Sequence, residues 1–223
     1  MNGIIARFTS TAVALVALCG LAIAETVSGP ARLVDGDTLI IEGRTVRLHG
    51  IDAPETRQTC WDDRGRDYRC GVAALDGLRD LVGNALVTCR GTERDRHDRL
   101  IAVCRAGSTD LNSRMVAMGL AIAYRRFSND YLAEEVSARN ASLGLWGGTF
   151  EPPEVVRAQM WETAQAAAPA GCPIKGNISA NGRIYHTPWS QWYARTRINT
   201  ARGELWFCTE AEALAAGWRP PYR

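Results

Sequence analysis

The chain has almost no lysine. Of its 26 basic residues, all but Lys175 are arginine, so positive charge is supplied as planar guanidinium forks that match a phosphate or carboxylate bidentately. Histidine is scarce as well, with 3 residues, and no Cys-x-x-C pair occurs. That argues against a closed tetrahedral zinc site. The charge balance is close to even, 26 basic against 24 acidic, so the strong electrostatic funnel common in sequence-tolerant nucleic-acid binders is missing. The arginines Arg64, Arg66, Arg69, Arg94, Arg96, Arg125 and Arg126 nevertheless cluster in predicted loops, where they can rim a cleft; Arg96 is a candidate substrate contact. An apolar run of membrane-spanning length is lacking too. Residues 11–24 are apolar but short and rich in small side chains, follow Arg7, and end in Ala22-Ile23-Ala24. They read as part of a secretory signal peptide, residues 1–24, rather than a membrane span, with an uncleaved anchor as the alternative. The expectation is an exported bacterial protein, periplasmic or secreted, with no stable membrane insertion after cleavage. Cys19 would be discarded, because Leu18 before it does not suit a lipoprotein signal.

Six cysteines remain: Cys60, Cys70, Cys89, Cys104, Cys172 and Cys208. An even set in an exported chain implies disulfides. Cys89 ends a predicted strand over residues 85–90 and Cys104 lies near the end of another over 100–105, so the two can face each other across a ladder. Cys60 and Cys70 flank one polar loop, and Cys172 and Cys208 share the last segment.

Two short runs hold the chemistry. Val34-Asp35-Gly36-Asp37-Thr38-Leu39 and Arg47-Leu48-His49-Gly50-Ile51-Asp52-Ala53-Pro54-Glu55 place carboxylates and an arginine where two adjacent strands end. Asp95-Arg96-His97-Asp98-Arg99 opens a further apolar strand and offers a second arginine. A carboxylate donor set favours a hard, oxygen-liganded divalent cation, and paired guanidiniums suit a phosphate. The chemistry indicated is metal-assisted phosphodiester hydrolysis. Each run alone has a plainer reading as a turn, and most of the arginines are solvated surface.

The same runs, with Gly144-Leu145-Trp146 closing the segment, resemble the staphylococcal nuclease (thermonuclease) family in order and spacing over about residues 28–146. The resemblance implies that Asp37 and Asp52 ligate calcium together with the Ala53 backbone carbonyl. It implies that Arg47 and Arg99 grip the scissile phosphate and that Glu55 orients or deprotonates the attacking water, with Asp35 tuning the metal site. The family's usual Tyr-Gly-Arg reads His97-Asp98-Arg99 here, so a tyrosine that helps hold a terminal phosphate is absent. Tyr124 falls one position off a nucleotide-contacting tyrosine and is either a substrate contact or strand-edge packing.

The coarse pattern predicts strands over 28–34, 38–42, 45–51, 85–90 and 100–105. Helices are predicted over 71–82, 110–118 and 131–141. That is an α+β chain whose main unit, residues 25–150, is a five-stranded OB-fold β-barrel with about three helices, an architecture suited to laying a nucleic-acid strand across its face. Glu151-Pro152-Pro153 breaks the chain, and residues 151–171 read as a linker within which residues 154–166 can form a short helix. A small C-terminal α+β unit follows over 172–223, with a hairpin about Asn181-Gly182, a strand over 204–208 and a capping box at Thr209-Glu210-Ala211-Glu212. Residues 206–220 somewhat resemble the metal-binding module of bacterial alkylation-repair proteins, but that module's terminal Cys-x-x-C is missing, so metal binding is not carried over. The tryptophans of this unit read as core in preference to base-stacking platforms. The chief alternative to a nuclease is a non-catalytic OB-fold binding or envelope protein. It is disfavoured because Asp37, Asp52, Glu55, Arg47 and Arg99 are all retained.

Overall fold

The computed structural model describes residues 24–221. The expected signal peptide, and Cys19 with it, lies outside the described residues except for Ala24. The elements run β1 (Glu25–Gly29), β2 (Ala31–Leu33), β3 (Thr38–Ile41), β4 (Arg44–Leu48), β5 (Ile51–Asp52), β6 (Cys60–Trp61), β7 (Asp67–Tyr68), α1 (Cys70–Val82), β8 (Val87–Arg94), β9 (Leu100–Ala106), β10 (Thr109–Asp110), α2 (Leu111–Ala117), β11 (Ile122–Ala123) and α3 (Leu132–Asn140). They continue with α4 (Pro153–Ala167), β12 (Ile174–Ser179), β13 (Gly182–His186), β14 (Leu205–Phe207) and α5 (Glu210–Ala215).

The main sheet has the order β1-β8-β9-β4-β3-β2, with β10 on β9. The strand expected over 28–34 is divided at Pro30, which has no N–H for a ladder and a fixed φ. Before Pro30 the chain pairs with β8, and after it with β3. The two ends of the strand order are therefore halves of one ribbon, and the sheet curls toward a barrel. The β4–β9 pairing is parallel and brings the two chemistry-bearing regions into one sheet. The strand expected over 85–90 continues to Arg94 through an irregularity between Gly91 and Glu93, a bulge that increases local twist.

The core lies inside this curl. Leu39, Ile41, Val46, Leu48, Leu100 and Met115 are fully buried, each contributing about 1.5–3 kcal/mol of transfer free energy. Helix α1 covers it with Ala74, Leu78 and Val82. Asp110 accepts a hydrogen bond from the Ser113 N–H and so caps α2. Disulfides join Cys60 to Cys70, Cys89 to Cys104 and Cys172 to Cys208. Cys89 and Cys104 stand directly opposite each other in the β8–β9 register.

The stretch read as a linker is mostly helix. Pro152 and Pro153 do not break the chain so much as open α4, since a proline in the first turn forfeits only an N–H that would have no intrahelical partner. Beyond α4, a three-stranded sheet of order β13-β12-β14 packs with α5 around Ile174, Tyr185, Phe207, Ala213 and Trp218. Trp161 of α4 packs against that cluster, which ties the helix to the second unit.

Candidate active site

The two short motifs meet because their turns touch. A Cβ on Gly36 would lie 2.7 Å from the Ala53 Cβ and 2.8 Å from that of Ala74, and one on Gly71 only 1.8 Å from the Glu55 carbonyl oxygen. Glycine at these positions lets the Asp35–Asp37 turn, the Asp52–Glu55 turn and the start of α1 close on one another. Asp52 lies in β5, paired with β11, and Arg47 lies in β4 directly opposite Thr38.

Arg47 links the carboxylates, donating from Nη1 to Asp37 Oδ1 at 3.1 Å and from Nη2 to Asp52 Oδ1 at 2.9 Å. Asp37 also accepts from the Thr38 hydroxyl at 2.9 Å and from the Ala53 N–H at 3.0 Å. Burial opposes its charge, but the Arg47 guanidinium, the Ala53 N–H and Arg157 outweigh it and hold its carboxyl below the usual range. Asp35 accepts from the Asp37 N–H at 3.0 Å. Desolvation and the neighbouring Asp37 charge push Asp35 up to about 7. Glu55, 8 % exposed, is pushed up to about 8, chiefly by burial and then by Asp35, against the pull of Arg157.

Arg99 is held differently. Its Nε donates to Asp95 Oδ2 at 2.7 Å, and its N–H to Asp95 Oδ1 at 3.0 Å. It lines a cavity of about 440 Å³ together with Asp35, Glu55 and, from the second unit, Tyr185, Trp189 and Trp192. The His97-Asp98 departure has a structural account. Asp98 takes the left-handed conformation, φ 58°, which aspartate tolerates better than most residues. His97 turns to the second unit, its Nε2 lying 3.6 Å from Glu210. Tyr124 stands beside Arg47, whose guanidinium is 5.9 Å from the ring centroid. Arg96 is exposed, with its Nε 3.0 Å from His97 Nε2, and is turned to that ring and not to the carboxylate cluster.

Sequence reasoning missed Arg157, on α4. Its Nη1 donates to Asp52 Oδ1 at 3.0 Å and to Glu55 Oε1 at 2.9 Å, and its Nη2 to Asp52 Oδ2 at 2.9 Å. Nothing in Val155-Val156-Arg157-Ala158 distinguishes this arginine from the solvated ones. The available signal was an acidic excess, since Asp35, Asp37, Asp52 and Glu55 face only Arg47 and the more distant Arg99.

The carboxylates are of the right type for a hard divalent cation. Among the described residues, however, no three His, Cys, Asp or Glu side chains form a ready metal cluster. The oxygens of Asp52 and Glu55 converge on a guanidinium instead. The donor chemistry suits a cation, and in this arrangement its oxygens are held by Arg47 and Arg157.

A family model described as Staphylococcal nuclease homologue matches residues 45–148, and one described as ArfC matches residues 156–220. The chain is 36 % identical over 127 residues to the succinoglycan biosynthesis protein ExoI of Rhizobium meliloti, covering 55 % of this chain and 66 % of that protein. It is 34 % identical over 122 residues to an uncharacterized endonuclease of Haemophilus influenzae (52 % and 63 %) and 28 % identical over 151 residues to the probable endonuclease lcl3 of Botryotinia fuckeliana (62 % and 56 %). The matches thus span between about half and two thirds of these relatives' own lengths.

Proposed function

Because the barrel of this chain belongs to the staphylococcal nuclease family, we propose that the protein is an exported, calcium-dependent nuclease that hydrolyses phosphodiester bonds of DNA, RNA or both. The observation that carries this reading is the buried link Asp37–Arg47–Asp52 lying beside Glu55. A calcium ion held by Asp37, Asp52 and the Ala53 carbonyl would supply charge neutralisation and a more acidic water. Arg47, fixed between the two aspartates, is placed to donate to a phosphate at that pair, where a guanidinium fork counters charge developing on the equatorial oxygens. Arg99 reaches the cleft from the other side, steadied by Asp95. Glu55 orients the attacking water and, in its carboxylate form, takes its proton, which needs a carboxylate within hydrogen-bond reach of the nucleophile. Tyr124 shapes the wall behind Arg47. Export is supported by the three disulfides, which persist in oxidising compartments.

The test is plasmid and RNA degradation by the mature protein with calcium and with chelator. Cleavage that requires calcium, and that Glu55→Gln abolishes, is the expected result. Equal turnover in chelator contradicts the metal reading. One observation favours a second reading, a non-catalytic nucleic-acid binder: Asp52 and Glu55 are occupied by Arg157. Retention of labelled oligonucleotide without cleavage under any metal condition would establish it.

A further inference from the structure

Arg157 reaches the site from outside the barrel. Its fork grips both oxygens of Asp52, which is 0 % exposed, and a third bond reaches Glu55. The Arg157 side chain is itself only 18 % exposed, so its charge has been drawn out of water to meet the Asp52 carboxylate with Glu55 beside it. Bidentate guanidinium–carboxylate pairing satisfies the same lone pairs that a cation would use. Arg47 takes Oδ1 of Asp52, whereas Oδ2 is held by Arg157; that oxygen cannot serve both Arg157 and a cation, and either occupant lessens the electrostatic need for the other.

The element that delivers Arg157 is lightly held. Pro153 is the only buried residue of α4. The chain just before the helix is pinned where the Gln58 side-chain amide donates to the Glu151 carbonyl at 2.8 Å, and Trp161 leans on the second unit, its ring 6.3 Å from that of Trp189. The Arg157 contact is therefore a large part of what docks α4 over the site.

Resting on the metal-dependent reading above, we propose that Arg157 is a built-in stand-in for the cation. It pairs with Asp52 and holds Glu55 when the site is empty, and a divalent cation binds only by displacing it. The second unit then regulates the nuclease through this one side chain, setting the calcium concentration at which the site opens.

Calorimetric calcium titration of the full mature protein, alongside thermal melting with and without millimolar calcium, tests this. Arg157→Ala is expected to bind calcium at least about tenfold more tightly than the parent. Its melting temperature should be lower without calcium and should rise with calcium by at least about 5 °C more than the parent's. Arg157→Gln, which keeps much of the bulk without the charge, serves if the alanine variant does not fold. Equal or weaker calcium binding by the variants overturns the proposal and leaves the metal reading standing. No calcium binding by parent or variant overturns both.

Discussion

His97 Nε2 lies 3.6 Å from Glu210 Oε1, and Glu210 in turn accepts a hydrogen bond from the Tyr185 hydroxyl at 2.9 Å. The loop that opens β9 is thereby joined to the second unit next to Arg99. Glu210→Ala should leave the buried Tyr185 hydroxyl unpaired and cost about 1–3 kcal/mol, read as a lowered urea midpoint. A variant as stable as the parent would mean that this seam contributes nothing to cohesion.

Arg47→Lys keeps the charge but cannot bond Asp37 and Asp52 with one planar fork. Nuclease activity should fall at least about a hundredfold while the protein remains folded. Circular dichroism with initial-rate assays separates the two effects, and near-normal rates would show that the phosphate clamp lies elsewhere.

Gly71→Ala puts a methyl group into the Glu55 carbonyl, where 1.8 Å is available. Either α1 or the Asp52–Glu55 turn must move, at about 1–3 kcal/mol. Melting should drop, and activity should drop with it because Glu55 is displaced. A crystal structure of the variant with Glu55 unmoved would refute the account of how the turns meet.

The fold was legible where the signals were local. The Asp35–Thr38 and Asp52–Glu55 runs are turns whose residues sit together whatever the rest of the chain does, and the apolar, β-branched-rich run over residues 100–104 marks β9 directly. β8 was read short because its last residues, Glu93 and Arg94, are exposed and charged; ladder pairing through a bulge carried the strand past them. Arg157 was invisible for a different reason. Its role depends on how α4 docks, bringing it to a residue 105 positions earlier, and no local pattern encodes a tertiary contact of that kind.

The Cys89–Cys104 bridge closes a loop with a sequence separation of 15. In the chain-entropy model that stabilises by about 3 kcal/mol, so the double variant Cys89→Ala/Cys104→Ala should melt roughly 6–12 °C lower. Calorimetry that finds no change would place the stabilisation wholly in core packing.

His186 is buried in the second unit, its Nε2 3.0 Å from the Asn177 side-chain oxygen. Burial, followed by the Lys175 charge, pushes it down to about 4. In the unfolded chain it titrates near 6.5. Between those values the unfolded state takes up a proton that the folded state does not, so the contribution of His186 is constant above about pH 6.5 and is lost as pH drops toward 4, by up to about 3 kcal/mol. Urea midpoints across this range check it. His186→Gln should flatten the acid limb, and an unchanged limb would assign the loss to other groups.

Pro30 has a consequence for how the protein behaves in company. Open sheets end in rows of unsatisfied N–H and C=O groups that recruit strands from neighbouring molecules. Here the terminal strands β1 and β2 are consecutive stretches of one ribbon folded at a single proline. The sheet's two margins are drawn together, which leaves little continuous edge on which fibrous growth could be templated in a crowded compartment.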